Sequence, residues 1–302
     1  MERSASRIAA VSIIATSLLL ITVCYGEVGK VSAQAEPAAK PVPAASENDE
    51  PRPYAASPYA GNIDRGLKFL REGNNLSHWE CMAVLDFLRR KFGLSDRYNI
   101  KTTYTFNDQE WVMKEVVGPW GRMVDPAHKA TAPPPFDGDG PDINYLTFNA
   151  LYCDQNGPPS EYAQRLRQMH DGCREKGGVN DYIVTHVAIA VEWLGENKCL
   201  DLSESVKDLR PILADEMAEI INRNGPDCDI SYESMALLSY MGQRKRITGE
   251  WLDAVAGAQQ VNGGWTELHK TGQSFPHPTI FALWTLLEAS VPDAPKVGWI
   301  PR

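Results

Sequence analysis

The amino-acid sequence predicts an all-α protein built from helical hairpins. Five segments share one pattern, an Ala with apolar residues around it at helical spacing, and their anchors lie 67, 40, 46 and 46 positions apart: Ala83, Ala150, Ala190, Ala236 and Ala282. About 40–50 residues is the length of two helices of three to four turns with their loops. The long first interval predicts an insertion at about residues 91–140. Alternation typical of β-structure is absent in bulk, and only Thr102 to Phe106 favours a short strand.

Helices of two kinds alternate along the chain. The segments around the five anchors are apolar on most sides, as in residues 188–194, and a helix that is apolar all round is buried. The segments between them carry a single apolar stripe, as in residues 206–221. Turns rich in Gly and Asn separate the two kinds, which suits helix ends. The sequence therefore predicts an inner set of buried helices and an outer, amphipathic set.

One turn near the C-terminus has the form Q-x-x-x-G-x-W, from Gln259 through Gly263 to Trp265. It resembles the QW repeat of squalene–hopene cyclases and the related turns of protein prenyltransferases. In those families the Gln caps a helix end, the glycines turn the chain, and the Trp packs over the turn. The resemblance implies an α/α toroid of about five to six helical hairpins, with a buried inner ring, an amphipathic outer ring and a cavity between the inner helices. Six residues separate Trp251-Leu252 from Gln259 here, more than in the family.

The N-terminal 35 residues have the organisation of a secretory signal peptide. Arg3 and Arg7 precede an almost wholly apolar stretch, residues 8–24, and small residues follow at Ala33-Gln34-Ala35. An uncleaved N-terminal anchor is the alternative, because about 17 apolar residues is the lower limit for spanning a bilayer. Residues 36–59 are rich in Pro and Ala, which predicts an extended linker. We therefore expect residues 60–302 to form the toroid domain of an exported, secreted or periplasmic protein.

The charge restricts the partners that the protein can have. The formal net charge is −9, which argues against nucleic acid and anionic membranes as partners. A membrane contact is therefore expected only through an uncleaved N-terminal segment. The sequence has no phosphate- or dinucleotide-binding loop, and no cofactor is predicted. His170, Asp171 and Cys173 lie too close together to hold one zinc ion readily, and no metal site is predicted.

The candidate site residues lie where inner helices begin, because those ends would meet at the mouth of a toroid. The catalytic candidates are Glu80, His186 and Glu233. Glu80 and Glu233 share one repeat position, aromatic-Glu-small-Met-Ala, and a carboxyl group on an apolar helix is expected to have a raised pKa and to act as a general acid or base. Capping of its own helix is the alternative for each Glu. The candidate ligand-binding residues are Asp139, Tyr145, Tyr232 and His277.

The Asp run around Asp139 has three interpretations. It resembles the acidic D-x-D-D motif of the cyclases, but Gly140 stands where the last Asp should be. A calcium loop would need a Glu where Phe148 stands. A turn ahead of the second inner helix is the simplest interpretation.

The predicted hairpins assign each cysteine to one of the two ends of the helical bundle. Removal of the signal segment with Cys24 leaves five: Cys81, Cys153, Cys173, Cys199 and Cys228. Cys81, Cys173 and Cys228 lie near the ends where inner helices begin, whereas Cys153 and Cys199 lie where inner helices end. An outer helix of 16–20 residues spans roughly 24–30 Å, and a disulfide needs Cα atoms within about 7 Å. Any disulfide should therefore join cysteines at the same end, and Cys199 should not pair with Cys228.

The resemblance leaves three functions open. The protein could bind or process a ligand in the central cavity, with an envelope isoprenoid as one candidate. It could be a carbohydrate-active toroid enzyme, similar to a polysaccharide lyase or hydrolase. It could also be a non-catalytic periplasmic binding or scaffold module. Fold alone does not choose among them, so whether the protein is an enzyme depends on the site.

Overall fold

The computed structural model describes residues 52–72, 79–94, 103–106, 109–112, 118–129, 142–156, 161–175, 181–268 and 272–301. The chain divides into two compact units, Met1–Asp49 and Glu50–Arg302, and all the described residues belong to the second. None of the described helices is long and apolar enough to cross a membrane. The predicted signal segment, residues 1–35, lies outside the described residues.

The described fold is helical, as the sequence predicts. Its helices are, in order, α1 (Ala60–Arg71), α2 (Trp79–Phe92), α3 (Ile143–Leu151), α4 (Cys153–Asn156), α5 (Tyr162–Glu175), α6 (Asp181–Glu196), α7 (Leu200–Val206), α8 (Leu209–Asn224), α9 (Asp229–Tyr240), α10 (Gly249–Gly257) and α11 (Pro276–Ser290), with 3-10 turns at Gly118–Met123 and Arg244–Arg246. Within the region of the predicted insertion, β1 (Thr103–Phe106) and β2 (Gln109–Val112) form an antiparallel hairpin that pairs Thr103 with Val112. The strand expected at Thr102 to Phe106 is thereby confirmed.

Helix starts follow from local sequence. Asp142 caps α3 by accepting a hydrogen bond from the Tyr145 backbone N–H at 2.7 Å. Thr248 caps α10 in the same way, from the Trp251 N–H at 3.2 Å. Pro276 is the first residue of α11, where its fixed φ suits the helix and its missing N–H costs no intrahelical hydrogen bond.

The predicted alternation of buried and half-exposed helices is confirmed. In α11, twelve of the fifteen residues are buried, and in α9 ten of twelve are buried. In α10, by contrast, only Val255 is buried. The buried helices pack in the series α3–α6–α9–α11–α2, and α1, α5, α8 and α10 each contact at least one helix of this series. Helix α1, near the start of the domain, contacts α11, near its end.

The Q-x-x-x-G-x-W turn, near the C-terminal end of the domain, is held against α1 by hydrogen bonds and close backbone packing. The Gln259 side-chain amide donates to the backbone oxygens of Asn62 and Gly263, both at 2.8 Å, and Asn62 donates back to Gln259 at 3.0 Å. Gly263 has φ +91°, and a Cβ there would lie 2.4 Å from the Arg65 backbone oxygen. Both the backbone conformation and the close approach to α1 therefore require glycine.

The C-terminal tail closes the end of the bundle where the buried helices end. The Trp299 and Ile300 backbone N–H groups donate to the two carboxylate oxygens of Glu196 at 2.9 and 3.0 Å. Arg90 donates to the backbone oxygens of Gly298 and Trp299 at 2.9 and 2.7 Å. The Trp299 ring packs in an aromatic cluster with one side chain from each of α2, α6, α9 and α11: Phe87, Trp193, Tyr240 and Trp284.

The C-terminal boundary predicted for the linker, residues 36–59, lies too far along the chain. Residues 52–59 pack on the domain: Tyr54 is buried and donates to Asp64 at 2.9 Å, and Ser57 shares a hydrogen bond with Ser290 at 2.7 Å. A Pro-rich composition favours extended backbone, but one aromatic side chain with a partner suffices to dock such a segment.

His170 forms a buried ionic bridge between two outer helices. Its Nε2 lies 2.9 Å from Glu216 on α8, and its Nδ1 lies 3.0 Å from Asp171 on its own helix, α5. The hydrogen bond to Glu216 raises the pKa of His170, burial opposes the rise, and the hydrogen bond to Asp171 adds to it. With a carboxylate at each ring nitrogen, both nitrogens donate and the imidazole is held in its charged form.

We expect this bridge to make stability depend on pH. Because the folded pKa of His170 lies above the unfolded value of about 6.5, its stabilisation is fully present below that pH and is lost as pH rises through the folded pKa. The melting-temperature difference between the wild type and His170→Gln should therefore shrink as pH is raised from mildly acidic to alkaline. Glu216→Gln should reduce the same pH dependence. A constant difference for His170→Gln across this range would contradict the interpretation.

Candidate functional site

Three buried helices begin beside one another and bring three polar side chains together. Tyr182 comes from the first turn of α6, Asp229 is the first residue of α9, and His277 is the second residue of α11. His277 Nδ1 lies 3.0 Å from Asp229 Oδ1, and the Tyr182 hydroxyl donates to Asp229 Oδ2 at 3.1 Å. The Asp229 backbone N–H donates to the Glu267 backbone oxygen at 3.0 Å, which fixes the start of α9.

Glu233 completes this group, which we call the Asp229 site: Tyr182, Asp229, Glu233 and His277. Glu233 lies one helical turn after Asp229 on α9, so the two carboxylates share a face of that helix. It is 2% exposed, and its Oε2 has no hydrogen-bond partner among the described residues. The alternative that Glu233 caps its own helix is not supported, because no hydrogen bond from its side chain to the first turn is present in this part of the chain.

Burial, together with the nearby carboxylates, favours the protonated form of the Tyr182 hydroxyl. Burial raises the pKa of Tyr182 above its usual value, and the negative charges of Asp229, Glu233 and Glu267, together with the hydrogen bond to Asp229, raise it further. Nearly half of the residue surface, 45%, is nevertheless exposed. The hydroxyl therefore acts as a hydrogen-bond donor on the inner side, while other parts of the side chain are open to solvent.

Asp229 orients the imidazole of His277. A neutral imidazole that donates from Nδ1 to a carboxylate keeps the lone pair on Nε2. The His277 ring also packs against Phe281, with ring centroids 4.9 Å apart, and its side chain is 36% exposed. Because the Tyr182 hydroxyl already donates its proton to Asp229, it can accept a hydrogen bond from a ligand, and the buried carboxylates of Asp229 and Glu233 place negative charge near it.

The structure brings together only some of the residues predicted from the sequence. Glu233 and His277 belong to the Asp229 site. His186 is half-buried one turn further along α6, and its Nδ1 lies 2.8 Å from the Tyr182 backbone oxygen. Tyr145 lies apart, on α3, with the Arg165 guanidinium 5.6 Å from its ring centroid. The Glu80 side chain and Asp139 lie outside the described part of the chain.

Tyr232, a predicted ligand-binding residue, is not exposed at the Asp229 site. Tyr232 is completely buried, and burial is the main cause that raises its pKa. Successive residues of a helix are about 100° apart around its axis, so a residue next to Glu233 faces a different neighbour. Here it faces the core.

Sequence reasoning missed Tyr182 and Asp229. Both stand in the first turns of helices identified as buried, one helical turn before the candidates His186 and Glu233. An acidic residue opens both α6 and α9, Asp181 and Asp229, and this shared feature could have drawn attention to these positions.

The described residues contain no cluster of three or more His, Cys, Asp or Glu side chains placed to hold a metal ion. No protein-family model, curated protein or solved structure matches the chain.

Proposed function

We propose that the protein is an exported α/α-toroid protein that binds a polysaccharide at the Asp229 site. The toroid is supported by the series α3–α6–α9–α11–α2 of buried helices, by the outer helices packed around it, and by the contact between α1 and α11. Export is supported by the N-terminal apolar segment and by a disulfide between Cys153 and Cys199, since disulfides persist in oxidising compartments.

One observation carries the choice of ligand: an exposed aromatic side chain stands beside polar groups that can accept and donate hydrogen bonds. Tyr182 offers an apolar ring surface, and Asp229, His277 and the Tyr182 hydroxyl form one hydrogen-bonded group behind it. Sugars present apolar ring faces and many hydroxyl groups, and such a mixed surface complements them.

An envelope isoprenoid is less well supported. A polyprenyl chain needs a long apolar cavity, but large side chains fill the described interior between the buried helices, including Trp284, Tyr240 and Phe87. The C-terminal tail covers the end of the bundle opposite the Asp229 site through Trp299.

Binding can be tested with the mature chain and a panel of neutral, acidic and amino oligosaccharides by isothermal titration calorimetry. We expect at least one class to bind, and Tyr182→Ala to weaken that binding about tenfold, equivalent to about 1.4 kcal/mol. Leu200→Ala is the matched control, because Leu200 is also exposed, at 66%, and lies at the start of α7. Absence of binding to every class, or wild-type affinity in Tyr182→Ala, would refute the proposal.

A catalytic role is the second candidate, and the Asp229–His277 pair favours it. A carboxylate that accepts a hydrogen bond from the Nδ1–H of a histidine orients the ring and increases its basicity, as general-base catalysis of proton abstraction or water attack requires. Release of new reducing or unsaturated ends from the bound oligosaccharide would distinguish a hydrolase or a lyase from a binding module.

A further inference from the structure

The Asp229 site and its surroundings carry more negative than positive charge. The carboxylates of Asp229, Glu233 and Glu267 all act on the Tyr182 hydroxyl, and Asp227 acts on the neighbouring Tyr232. Among the described residues, Arg223 supplies a positive charge to this region, and its guanidinium forms an ion pair with Asp181, with 2.5 Å between Nη2 and Oδ1. His277, a member of the site, is a further titratable group there.

Hydrogen bonds, ion pairs or solvent stabilise most of these carboxylates, whereas Glu233 is buried and its Oε2 has no hydrogen-bond partner among the described residues. Asp229 accepts hydrogen bonds from two side chains and lies at the positive N-terminal end of α9. Asp181 opens α6 and binds both Arg223 and Asn224, and Glu267 is exposed to solvent. Glu233 lies beyond the first turn of its helix, where the effect of the helix dipole has largely faded, and a buried carboxylate without a partner is costly.

We infer that the ligand of the Asp229 site carries an ammonium group, and that the polysaccharide bound there is an amino-sugar polymer with free amines. An ammonium beside the Tyr182 hydroxyl would be attracted by both Asp229 and Glu233. The exposed Tyr182 ring adds a cation–π attraction. Carboxylated or sulfated polymers would be repelled by the same charges. The inference rests on the proposed function, because it specifies which polysaccharide that site takes.

The test compares two ligands of equal length and the same sugar backbone, which differ at the amine: glucosamine oligomers carry a charged ammonium there, and N-acetylglucosamine oligomers carry an uncharged acetamide. Titration of the mature protein at mildly acidic pH should give an affinity at least about tenfold higher for the glucosamine oligomer, and added salt should reduce this preference. Equal affinities, or a preference for the acetylated oligomer, would overturn the ammonium inference and leave polysaccharide binding intact. If neither oligomer binds, the ammonium inference fails, and the rest of the panel decides the proposed function separately.

Glu233→Gln separates charge from shape, because the amide is nearly isosteric with the carboxylate. We expect it to reduce the ratio of the affinity for the glucosamine oligomer to that for the acetylated oligomer at least about fivefold. Glu267→Gln, at an exposed position, should reduce the preference less and serves if Glu233→Gln does not fold. Glu250→Gln, on the exposed first turn of α10, is the control. An unchanged preference in the folded site variants would overturn the inference.

Discussion

Trp265→Ala is expected to lower the free energy of unfolding by roughly 3–5 kcal/mol, the usual cost of truncating a core Trp. Trp265 is completely buried, its indole N–H donates to the Val255 backbone oxygen at 2.7 Å, and its backbone N–H donates to Thr279 at 2.9 Å. A Cβ on Gly66 would lie 2.9 Å from the Trp265 ring, so α1 packs closely against the indole. Truncation would leave a cavity where α1, α10 and α11 meet.

Chemical denaturation of the wild type and the variant measures this loss. Val261→Ala is the matched control, because Val261 belongs to the same turn but is fully exposed, and exposed substitutions usually change stability by no more than about 0.5 kcal/mol. Below the unfolding transition, Trp265→Ala should bind ligand like the wild type. Wild-type stability combined with lost binding would show that the turn has a functional role instead.

The helical class and the alternation of buried and half-exposed helices could be predicted because both depend on local periodicity. The role of Gln259 and Trp265 could be anticipated only through the resemblance, since their partners, Asn62 and Val255, lie 197 and 10 residues away. The docking of the C-terminal tail was not predictable. It depends on Glu196 accepting two backbone N–H groups more than 100 residues away, at separations of 103 and 104, and no local pattern encodes such a contact.

The position of the candidate site could be predicted, but not all of the residues that form it. Placing polar residues at the starts of buried helices identified Glu233 and His277, because helix starts can be read from sequence. Tyr232 was chosen by the same rule, but the rotation of α9 about its axis turns it into the core. Asp229 could not be singled out from the sequence, because an acidic residue at the start of a helix is ordinarily explained by its interaction with the helix dipole. Only the three-dimensional structure shows that it also binds Tyr182 and His277.

The disulfide agrees with the predicted assignment of the cysteines to the two ends of the helical bundle. Cys153 and Cys199, the two cysteines placed where buried helices end, are bonded, with Cα atoms 6.3 Å apart. Cys228 is a buried thiol at the start of α9, as is Cys81 near the start of α2. A bond between Cys199 and Cys228 is therefore not formed, in agreement with the length of the intervening helix. The bond connects the start of α4, just after α3, to the segment between α6 and α7.

Removal of this disulfide is expected to cost about 4 kcal/mol of stability, because it closes a loop with a sequence separation of 46 and loop-closure entropy grows with loop length. The double variant Cys153→Ala/Cys199→Ala should unfold at a clearly lower denaturant concentration than the oxidised wild type. Reductant should bring the wild type close to the variant and leave the variant itself unchanged, which provides the internal control. Peptide mapping without reduction should recover a Cys153–Cys199 crosslink. A Cys199–Cys228 crosslink would contradict both the bond and the hairpin register, because Cys228 would then have to leave the start of α9.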